Sequence, residues 1–377
     1  MSASQHPIQL QGVSLESIAK EFGTPVYVYD GEKIVNQIKS LQSAFATVPL
    51  KIKYATKALS NINILKLVKK AGEGVDAVSI EEIRICMKAG FKAAEIMYTP
   101  SGVNFREVQE AVELGVIVNL DSIPLMEEFG VAYGNTIPAC IRINPHIMAG
   151  GNAKISTGHI QSKFGISIQQ LPEILEVVKR FDLKIKGLHI HTGSDILDAE
   201  IFLRGGNVLF EAAMNFPDLA FLDFGGGFKV AYKSGDPSTD IREVGTKVSA
   251  AFNEFCEKYG RKLELWLEPG KFLVSESGYA FHDVYNLSNP EGELNSYNVV
   301  GYICETDTLA KERRLAKVGK GDLLVFKNAG AYGFSMSSNY NSRLRPAEVL
   351  VWEGRANLIR NREIFDDLIR HQLILDI

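Results

Sequence analysis

The sequence predicts a (β/α)8 TIM-like barrel joined to an all-β domain, and three observations support this fold class. Short, β-rich apolar runs alternate with longer segments of helical spacing across residues 51–270. Eight such runs can be counted, the number expected of a closed parallel barrel. After residue 270 the helical spacing stops and strand-like runs joined by turns follow. A doubly wound open sheet remains the alternative fold, because a count of strand-like runs does not show that the sheet closes into a barrel.

The predicted barrel elements follow one another in a regular order. The eight strand-like runs are KIKYAT, VDAVS, IMYT, VIVNLD, ACIRIN, KGLHIH, AFLDFG and ELWLEP. Helical segments such as NINILKLVKKAG, EEIRICMKAG and LPEILEVVKRF lie between them. Ser79, followed three residues later by Glu82, predicts a capping box at the start of one helix.

The all-β domain is predicted from the runs NVVGYIC, DLLVFK and AEVLVW, which have little helical pattern between them. The run PVYVYD precedes the barrel and is also strand-like, so we expect it to join the same β-sandwich-like domain. The expected boundaries are residues 31–272 for the barrel, and residues 1–30 with 273–377 for a discontinuous β domain.

Composition argues against several classes of function. The 377 residues are 46% hydrophobic and 23% charged, with 41 basic and 45 acidic side chains and a net charge of -4. No basic stripe indicates nucleic-acid binding, and no apolar stretch indicates a signal peptide or a membrane span. The cysteines are widely spaced and form no CxxC pair, which argues against disulfides or zinc and fits a reducing cytoplasm. They are Cys86, Cys140, Cys256 and Cys304.

Residues with complementary chemistry stand where the barrel strands should end, which is where such barrels place their active sites. They are Lys57 after the first strand, Arg142 and Asn144 at the fifth, His189 and His191 at the sixth, Gly225, Gly226 and Gly227 after the seventh, and Glu268 at the eighth. A lysine can form a Schiff base with an aldehyde cofactor, although a single lysine is more often a solvated surface residue. Lys57 follows an apolar strand and precedes Ala58 and Leu59, so we expect it to be partly enclosed. Three glycines can form an anion nest, although GGG alone is also a tight turn.

The remaining strand-end residues allow more than one role. Glu268 could keep a pyridine nitrogen protonated, or could form a surface salt bridge. His189 and His191 share one face of a strand, which would suit a metal, but we find no third ligand at suitable spacing and expect none. A flat imidazole stacked on a cofactor ring is equally compatible. In the β domain Cys304 could donate a proton and Glu305 bind a cation, although a lone cysteine is more often inert core.

The chain resembles the alanine-racemase-like, fold-type III decarboxylases that use pyridoxal 5'-phosphate (PLP). The matching stretches run in order over nearly the whole chain: KYATKA, GVDAVS, RINP, TGHIQSKFGI, HIHTGSDI, FLDFGGGF, LEPGK, GYICETD and NAGAYGFSMSSNYNSRLRPAEVLV. The order CE and then D is similar to the diaminopimelate branch of the family, whereas ornithine-type relatives have Asp after that cysteine. The resemblance implies PLP-dependent decarboxylation of meso-2,6-diaminopimelate to L-lysine, the last step of lysine biosynthesis.

The resemblance also implies roles for individual residues. Lys57 would hold the cofactor, His191 would stack on its ring, and Glu268 would pair with its pyridine nitrogen. Residues implied around the phosphate or lining the cofactor pocket are Ser194, Gly225, Gly226, Gly227, Gly270, Tyr332, Asp76 and Arg142. Lys271, Glu305 and Tyr332 would contact the amino-acid substrate. Cys304 would donate a proton from the partner subunit of a homodimer with two shared sites, and no metal is implied.

Two positions depart from the family pattern. Lys271 stands where the family usually has Arg after EPG, so the charge is kept and the planar fork is lost. Between Tyr279 and Ala280 the family usually has a connecting strand and an RPxxY-type motif that helps to grip the substrate carboxylate. We expect a disordered segment between these residues rather than a true deletion, which would remove substrate-binding residues.

Other functions stay open at this point. One is decarboxylation of another diamino acid, such as ornithine, arginine or carboxynorspermidine. Glu305 argues against it, since a second α-amino-acid centre needs contacts to both a carboxylate and a cation. Alanine racemase activity would leave the CETD segment without an obvious use. A PLP-binding protein without catalysis, and a barrel that binds phosphorylated metabolites without a covalent adduct at Lys57, are the remaining alternatives.

Overall fold

The computed structural model describes residues 8–147, 158, 162–232, 235–288 and 292–377. The strands in these ranges are β1 (Gln9–Leu10), β2 (Val13–Ser14), β3 (Val26–Asp30), β4 (Leu50–Ala55), β5 (Gly74–Ala77), β6 (Ile96–Tyr98), β7 (Ile117–Leu120), β8 (Ala139–Asn144), β9 (Ile166–Ser167), β10 (Ile185–His189), β11 (Phe221–Asp223), β12 (Glu264–Leu267), β13 (Gly278–Asn286), β14 (Leu294–Val300), β15 (Thr308–Ala316), β16 (Leu324–Lys327), β17 (Ala347–Trp352) and β18 (Arg355–Arg360). The helices are α1 (Leu15–Phe22), α2 (Gly31–Ala44), α3 (Ile62–Lys70), α4 (Ile80–Lys88), α5 (Phe105–Glu113), α6 (Ile123–Tyr133), α7 (Leu171–Phe181), α8 (Ala199–Ala213), α9 (Ile241–Tyr259), α10 (Lys271–Val274) and α11 (Phe365–Ile369). No helix among these residues is both long enough and apolar enough to cross a membrane.

The chain divides into two compact units. One contains Val35–Val230 and Pro237–Leu273, and the other contains Met1–Ile34, Ala231–Asp236 and Val274–Ile377. We call them the barrel unit and the β unit.

The barrel unit contains a closed barrel of eight parallel strands. Their order is β10-β11-β12-β4-β5-β6-β7-β8, and β10 also pairs with β8, so the sheet returns upon itself. Every neighbouring pair in the ring is parallel. This closure confirms the predicted (β/α)8 barrel and excludes the open sheet, and each of the eight predicted apolar runs forms one of its strands.

An apolar layer fills the barrel and supports the residues at its carboxyl end. The rings of Phe221 and Trp266 stack with centroids 3.6 Å apart, and Met97 and Cys140 are buried against them. Because side chains two residues apart face the same side of a strand, this layer lies beneath three polar side chains. These are Arg142, Asp223 and Glu268, all buried.

The β unit is built on a five-stranded sheet of order β16-β13-β3-β17-β18. Strand β3 pairs with β17 in parallel and with β13 antiparallel, so the strand that precedes the barrel lies inside the C-terminal sheet. The prediction made from PVYVYD is therefore confirmed. Strands β14 and β15 form a separate antiparallel hairpin.

The chain runs without a break through Tyr279 and Ala280, so the expected disordered segment between them is wrong. The two residues are consecutive in the 377-residue sequence, and the single strand β13 includes both. The pairing of this strand with β16 shifts here, from Tyr279 opposite Lys327 to Val284 opposite Phe326. One continuous strand with an irregular register therefore lies where a connecting segment was expected, and the sequence contains no RPxxY-type motif at this point.

Candidate functional site

Backbone hydrogen bonds join the loops at the carboxyl end of the barrel. The Ala55 N–H donates to the Pro269 carbonyl at 3.2 Å, and the Glu268 N–H donates to the Gly225 carbonyl at 2.7 Å. Gly270 packs closely on the same end, since a Cβ there would lie 3.3 Å from the Cβ of Ala55. The loops after the first, seventh and eighth barrel strands therefore meet.

Lys57 lies in a short turn, Thr56–Ala58, directly after the first barrel strand. The buried hydroxyl of Thr56 lies 2.9 Å from the Asp76 carbonyl and 2.7 Å from Glu82 Oε2, which anchors this turn. Thr56 and Ala58 are buried, whereas the side chain of Lys57 is exposed. The expected enclosure therefore holds for the neighbours of Lys57 and is wrong for its side chain, which leaves the amine accessible.

The N-terminus of α4 is tied to the turn that carries Lys57. Ser79 Oγ accepts the Glu82 N–H at 3.2 Å, which confirms the first half of the predicted capping box. The second half is wrong, because the Glu82 carboxylate accepts from the Val78 N–H at 2.8 Å. The same carboxylate oxygen contacts Thr56, so this helix start and the lysine turn share one hydrogen-bond acceptor.

Buried charged groups lie at the same end of the barrel. His189 Nε2 is 3.0 Å from Glu268 Oε2. Burial, together with the charge of Glu268, raises the pKa values of Asp76 and Asp223 well above the usual range. Burial also lowers the pKa of Arg142, although the nearby carboxylates oppose that change. Burial in a low-dielectric site beside a second carboxylate disfavours the charged forms of the two aspartates, which explains the direction of these shifts.

Glu268 is the ionised member of this group. Burial by itself would raise its pKa, but His189, His191 and Lys57 outweigh that effect and lower the pKa to about 2. Its Oε2 contacts His189, whereas its buried Oε1 has no hydrogen-bond partner among the described residues. A buried carboxylate oxygen of this kind is a strong acceptor for an N–H of a ligand.

The glycine loop after the seventh strand requires glycine at each position. Gly225 and Gly227 have φ values of 67° and 105°. A Cβ on Gly226 would lie 2.2 Å from the Glu268 carbonyl oxygen. Two of the amides expected to form an anion nest already have acceptors, since Gly225 donates to Asp223 Oδ1 at 2.8 Å and Gly226 to His191 Nδ1 at 3.1 Å.

We expect Gly226→Ala to weaken both cofactor binding and folding, because the loop would have to move away from the Glu268 carbonyl. The affinity for PLP, the cofactor expected from the sequence, should fall about 10-fold or more, and the free energy of unfolding by about 1–3 kcal/mol. Fluorescence titration with PLP and urea unfolding measure these changes. Gly319→Ala is the matched control, since the nearest atom to its Cβ would be 3.8 Å away. Equal behaviour of both variants would contradict the prediction.

His191 presents a neutral imidazole to this end of the barrel. Burial lowers its pKa well below the usual range, and the cations Lys57 and Arg142 lower it further. Because Nδ1 accepts the Gly226 N–H, the ring proton of the neutral form is on Nε2. A neutral, flat ring at this position can stack on a planar ligand.

The loop after the sixth strand reaches the start of α10. Lys271 Nζ forms an ion pair with Asp195 Oδ1 at 2.7 Å, and both side chains are mostly buried. Asp195 has a φ of 59° and directly follows Ser194. Lys271, which replaces the usual arginine of the family, is therefore held by a carboxylate of the chain itself.

The other expected site residues belong to the β unit. The Cys304 N–H donates to Asn341 Oδ1 at 2.7 Å, which joins the GYICETD and NYNSR segments. Cys304 and Glu305 are exposed. Tyr332 has a φ of 65°, a left-handed conformation that is uncommon for a residue with a side chain. In the TGHIQSKFGI stretch, residues 157 and 159–161 lie outside the described residues.

Sequence reasoning missed Asp223 and the group to which it belongs. One ligand atom from each of His189, Asp223 and Glu268 lies within 4.8 Å of the other two. The seventh and eighth strands supply carboxylates beside one of the two histidines, a grouping that spacing along the chain did not reveal, while the prediction that the site holds no metal stays a prediction. The position of Asp223 directly before FGGG, at the end of a barrel strand, was the available signal.

Comparisons with known proteins agree over both units. Residues 31–275 match the pyridoxal-binding domain of the pyridoxal-dependent decarboxylases, and residues 271–330 match their C-terminal sheet domain. The chain is 32% identical to diaminopimelate decarboxylase of Methanothermobacter thermautotrophicus, over 96% of this chain and 94% of that protein. It is also 32% identical to diaminopimelate decarboxylase of Campylobacter jejuni, over 94% of this chain and 97% of that protein. The structure of diaminopimelate decarboxylase from Helicobacter pylori complexed with L-lysine superposes with a TM-score of 0.86 at 30% identity, covering 94% of this chain and 98% of that one.

Proposed function

The chain belongs to the pyridoxal-dependent decarboxylases, and from that premise we propose that it converts meso-2,6-diaminopimelate to L-lysine and CO2. The observation that carries the proposal is the ionised, buried Glu268, whose Oε1 lacks a partner among the described residues, at the same barrel end as the accessible Lys57. The full-length similarity to diaminopimelate decarboxylases supports the choice of substrate.

The residues at this end of the barrel fit PLP. Glu268 Oε1 is a buried acceptor without a partner among the described residues, as a protonated pyridine nitrogen requires. Lys57 offers an exposed primary amine for the aldehyde group. The glycine loop, Gly225 to Gly227, lies at the same barrel end, and its backbone without side chains is of the kind that can approach a phosphate closely. These features are independent of one another, and together they match the three functional groups of the cofactor.

We assign the roles in the reaction as follows. Bound PLP supplies a sink for the electrons of the breaking bond between Cα and the carboxylate. Lys57 would bind the aldehyde group of PLP, and His191 would stack on the face of the PLP ring. Glu268 would keep the pyridine nitrogen of PLP protonated. The phosphate and the remaining pocket wall are assigned to Ser194, Gly225, Gly226, Gly227, Gly270, Tyr332, Asp76 and Arg142. In this assignment the protein orients the reacting bond and keeps the ring nitrogen positively charged.

The proposed substrate contacts come mainly from the β unit. Glu305 would bind the ammonium group of the distal amino-acid centre, and Cys304 would donate the proton to Cα. Tyr332 and Lys271 would also contact the substrate. Lys271 is paired with Asp195, so we expect it to act as a fixed point charge and not as a carboxylate fork.

We further propose a twofold homodimer in which each site takes Cys304 and Glu305 from the partner subunit. The exposure of both residues supports this arrangement. In functional terms, residues 31–272 would bind the cofactor, while residues 1–30 and 273–377 would supply the partner contribution. The proposed location is the cytoplasm, and the free state of all four cysteines is compatible with it.

Mixing of inactive subunits tests the shared sites. Lys57→Ala and Cys304→Ala should each be nearly inactive alone, because each lacks a group needed in both sites of its homodimer. Subunits mixed in equal amounts should recover about a quarter of wild-type activity, since half of the dimers then contain one intact site. Sedimentation measurements check that dimers form. No recovery from exchanged dimers would contradict sharing of the sites.

The proposed substrate is tested by CO2 release from the PLP-loaded enzyme. We expect release from meso-2,6-diaminopimelate and little from ornithine, arginine, lysine or carboxynorspermidine. Glu305→Ala should raise KM for diaminopimelate about 10-fold or more, since it removes a charge-assisted contact. Release from a different diamino acid would replace the substrate assignment. No release from a folded, PLP-loaded enzyme would favour a binding protein without catalysis.

A further inference from the structure

Three buried side chains beneath the proposed cofactor site form a group with incomplete hydrogen bonding. His189 Nδ1, Asp223 Oδ2 and Glu268 Oε1 each lack a partner among the described residues. Their other polar atoms are engaged, since His189 Nε2 contacts Glu268 Oε2 and Asp223 Oδ1 accepts the Gly225 N–H. Buried polar atoms rarely lack a hydrogen-bond partner, so three such atoms in one group indicate a functional site.

Hydrogen-bond chemistry fixes the direction of the contact between His189 and Glu268. An ionised carboxylate only accepts, so the proton between the two residues is on His189 Nε2. Nδ1 of the neutral ring is then an acceptor and needs a donor. Asp223 lies beside the pair, since one ligand atom of each residue lies within 4.8 Å of the other two, but the described residues show no hydrogen bond between its Oδ2 and His189 Nδ1.

Burial lowers the pKa of His189, so its ring is neutral at neutral pH. The pKa of Glu268 is lowered to about 2, so its carboxylate is ionised. Glu268 Oε1 stays available as an acceptor because only Oε2 contacts His189. Cations facing the group are Lys53 on the first barrel strand, Lys57 in the turn after it and Arg142 on the fifth strand, and the Asp76 carboxyl faces the group from the second.

We propose that His189 is a positioning residue that acts through Glu268, and that Asp223 holds the glycine loop beside this pair. His189 holds the Glu268 carboxylate by Oε2 and thereby presents Oε1 to the cofactor nitrogen. Asp223 accepts the Gly225 N–H and so fastens the glycine loop. Asp223 thus links the part of the site that would bind the pyridine nitrogen to the glycine loop that would bind the phosphate. This inference rests on the proposed function and adds two residues to it.

A matched pair of variants separates the hydrogen bond from the volume of the side chain. In His189→Gln an amide N–H can reach the position of Nε2, whereas the shorter amide of His189→Asn replaces Nδ1. We expect kcat of the Asn variant to fall about 10- to 100-fold with little change in KM, because the lost contact is to a charged group. The Gln variant should stay within a few-fold of the wild type. Equal losses in both variants would contradict the proposal.

A spectroscopic readout tests the proposal without activity. Holoenzyme reconstituted with PLP carrying nitrogen-15 in its ring reports by NMR whether that nitrogen is protonated. Wild type and His189→Gln should keep the protonated signal at neutral pH. His189→Asn should lack this signal at neutral pH, or lose it at a lower pH than the wild type when the pH is raised. A protonated signal that is unchanged in His189→Asn would overturn the proposal. Circular dichroism and urea unfolding show whether each variant is folded.

Variants of the other two residues complete the test. Asp223→Asn keeps an acceptor for the Gly225 amide, so we expect a protonated ring nitrogen and near-normal kcat. Asp223→Ala should reduce kcat about 10-fold or more and weaken PLP binding. Glu268→Gln should abolish the protonated signal. If Glu268→Gln keeps that signal, the role proposed for Glu268 fails. If Glu268→Gln loses the signal while His189→Asn and Asp223→Ala behave as wild type, the positioning inference alone fails.

Discussion

Replacement of Lys57 by alanine is expected to reduce CO2 release from meso-2,6-diaminopimelate at least about 1000-fold, the largest effect of any single substitution in this chain. The amine is the group that bonds the cofactor aldehyde, and no neighbouring side chain can take its place in the turn Thr56–Ala58. Borohydride reduction followed by mass spectrometry should locate the cofactor on residue 57 of the wild type. The variant should show no adduct at this position.

The Lys57→Ala variant should remain folded, because the side chain that it loses is exposed. Urea unfolding should therefore change by less than about 0.5 kcal/mol. Lys51→Ala is the matched control, an exposed lysine on the strand before this turn, and it should keep both adduct and activity. An adduct or substantial activity in Lys57→Ala would show that another amine holds the cofactor, and would remove Lys57 from the mechanism.

Replacement of Glu268 by glutamine is expected to lower kcat about 100- to 1000-fold with a much smaller effect on KM. Glutamine has nearly the same shape but no charge, so it cannot hold a proton at the pyridine nitrogen. Steady-state kinetics and the absorbance of the PLP-loaded variant check this result. Glu264→Gln, on the strand that directly precedes Glu268, is the control and should retain activity, because Glu264 accepts from the Trp266 indole instead. An unchanged kcat in Glu268→Gln would exclude the proposed role.

The same substitution should change the dependence of stability on pH. The folded-state pKa of Glu268 is lowered from 4.5 to about 2, so its ionised form stabilises the protein above pH 4.5. This stabilisation is lost as the pH falls toward about 2. Urea unfolding at several pH values should therefore show a constant difference between wild type and Glu268→Gln above pH 4.5, and a changing difference below it. Parallel curves down to pH 2 would contradict an ionised Glu268.

The sequence by itself determined the elements of the barrel and much of the site. The eight apolar runs became the eight strands because their local composition and spacing suit buried parallel strands. The carboxyl ends of those strands share one end of a closed barrel, so Lys57, Arg142, His189 and Glu268 could be grouped from chain position alone. The strand from PVYVYD could also be assigned, because its pattern fits no barrel position.

Only the tertiary structure decided which of these groups contact one another. His189 and Glu268 meet across 79 residues of chain, and their contact depends on closure of the barrel. Asp223 joined them because a neighbouring strand placed its carboxylate beside the imidazole, while the sequence shows only an aspartate before FGGG. Lys271 met Asp195 in the same way. Local patterns report the conformation of a segment, whereas the charge state and the partner of a buried group depend on which distant segments fold against it.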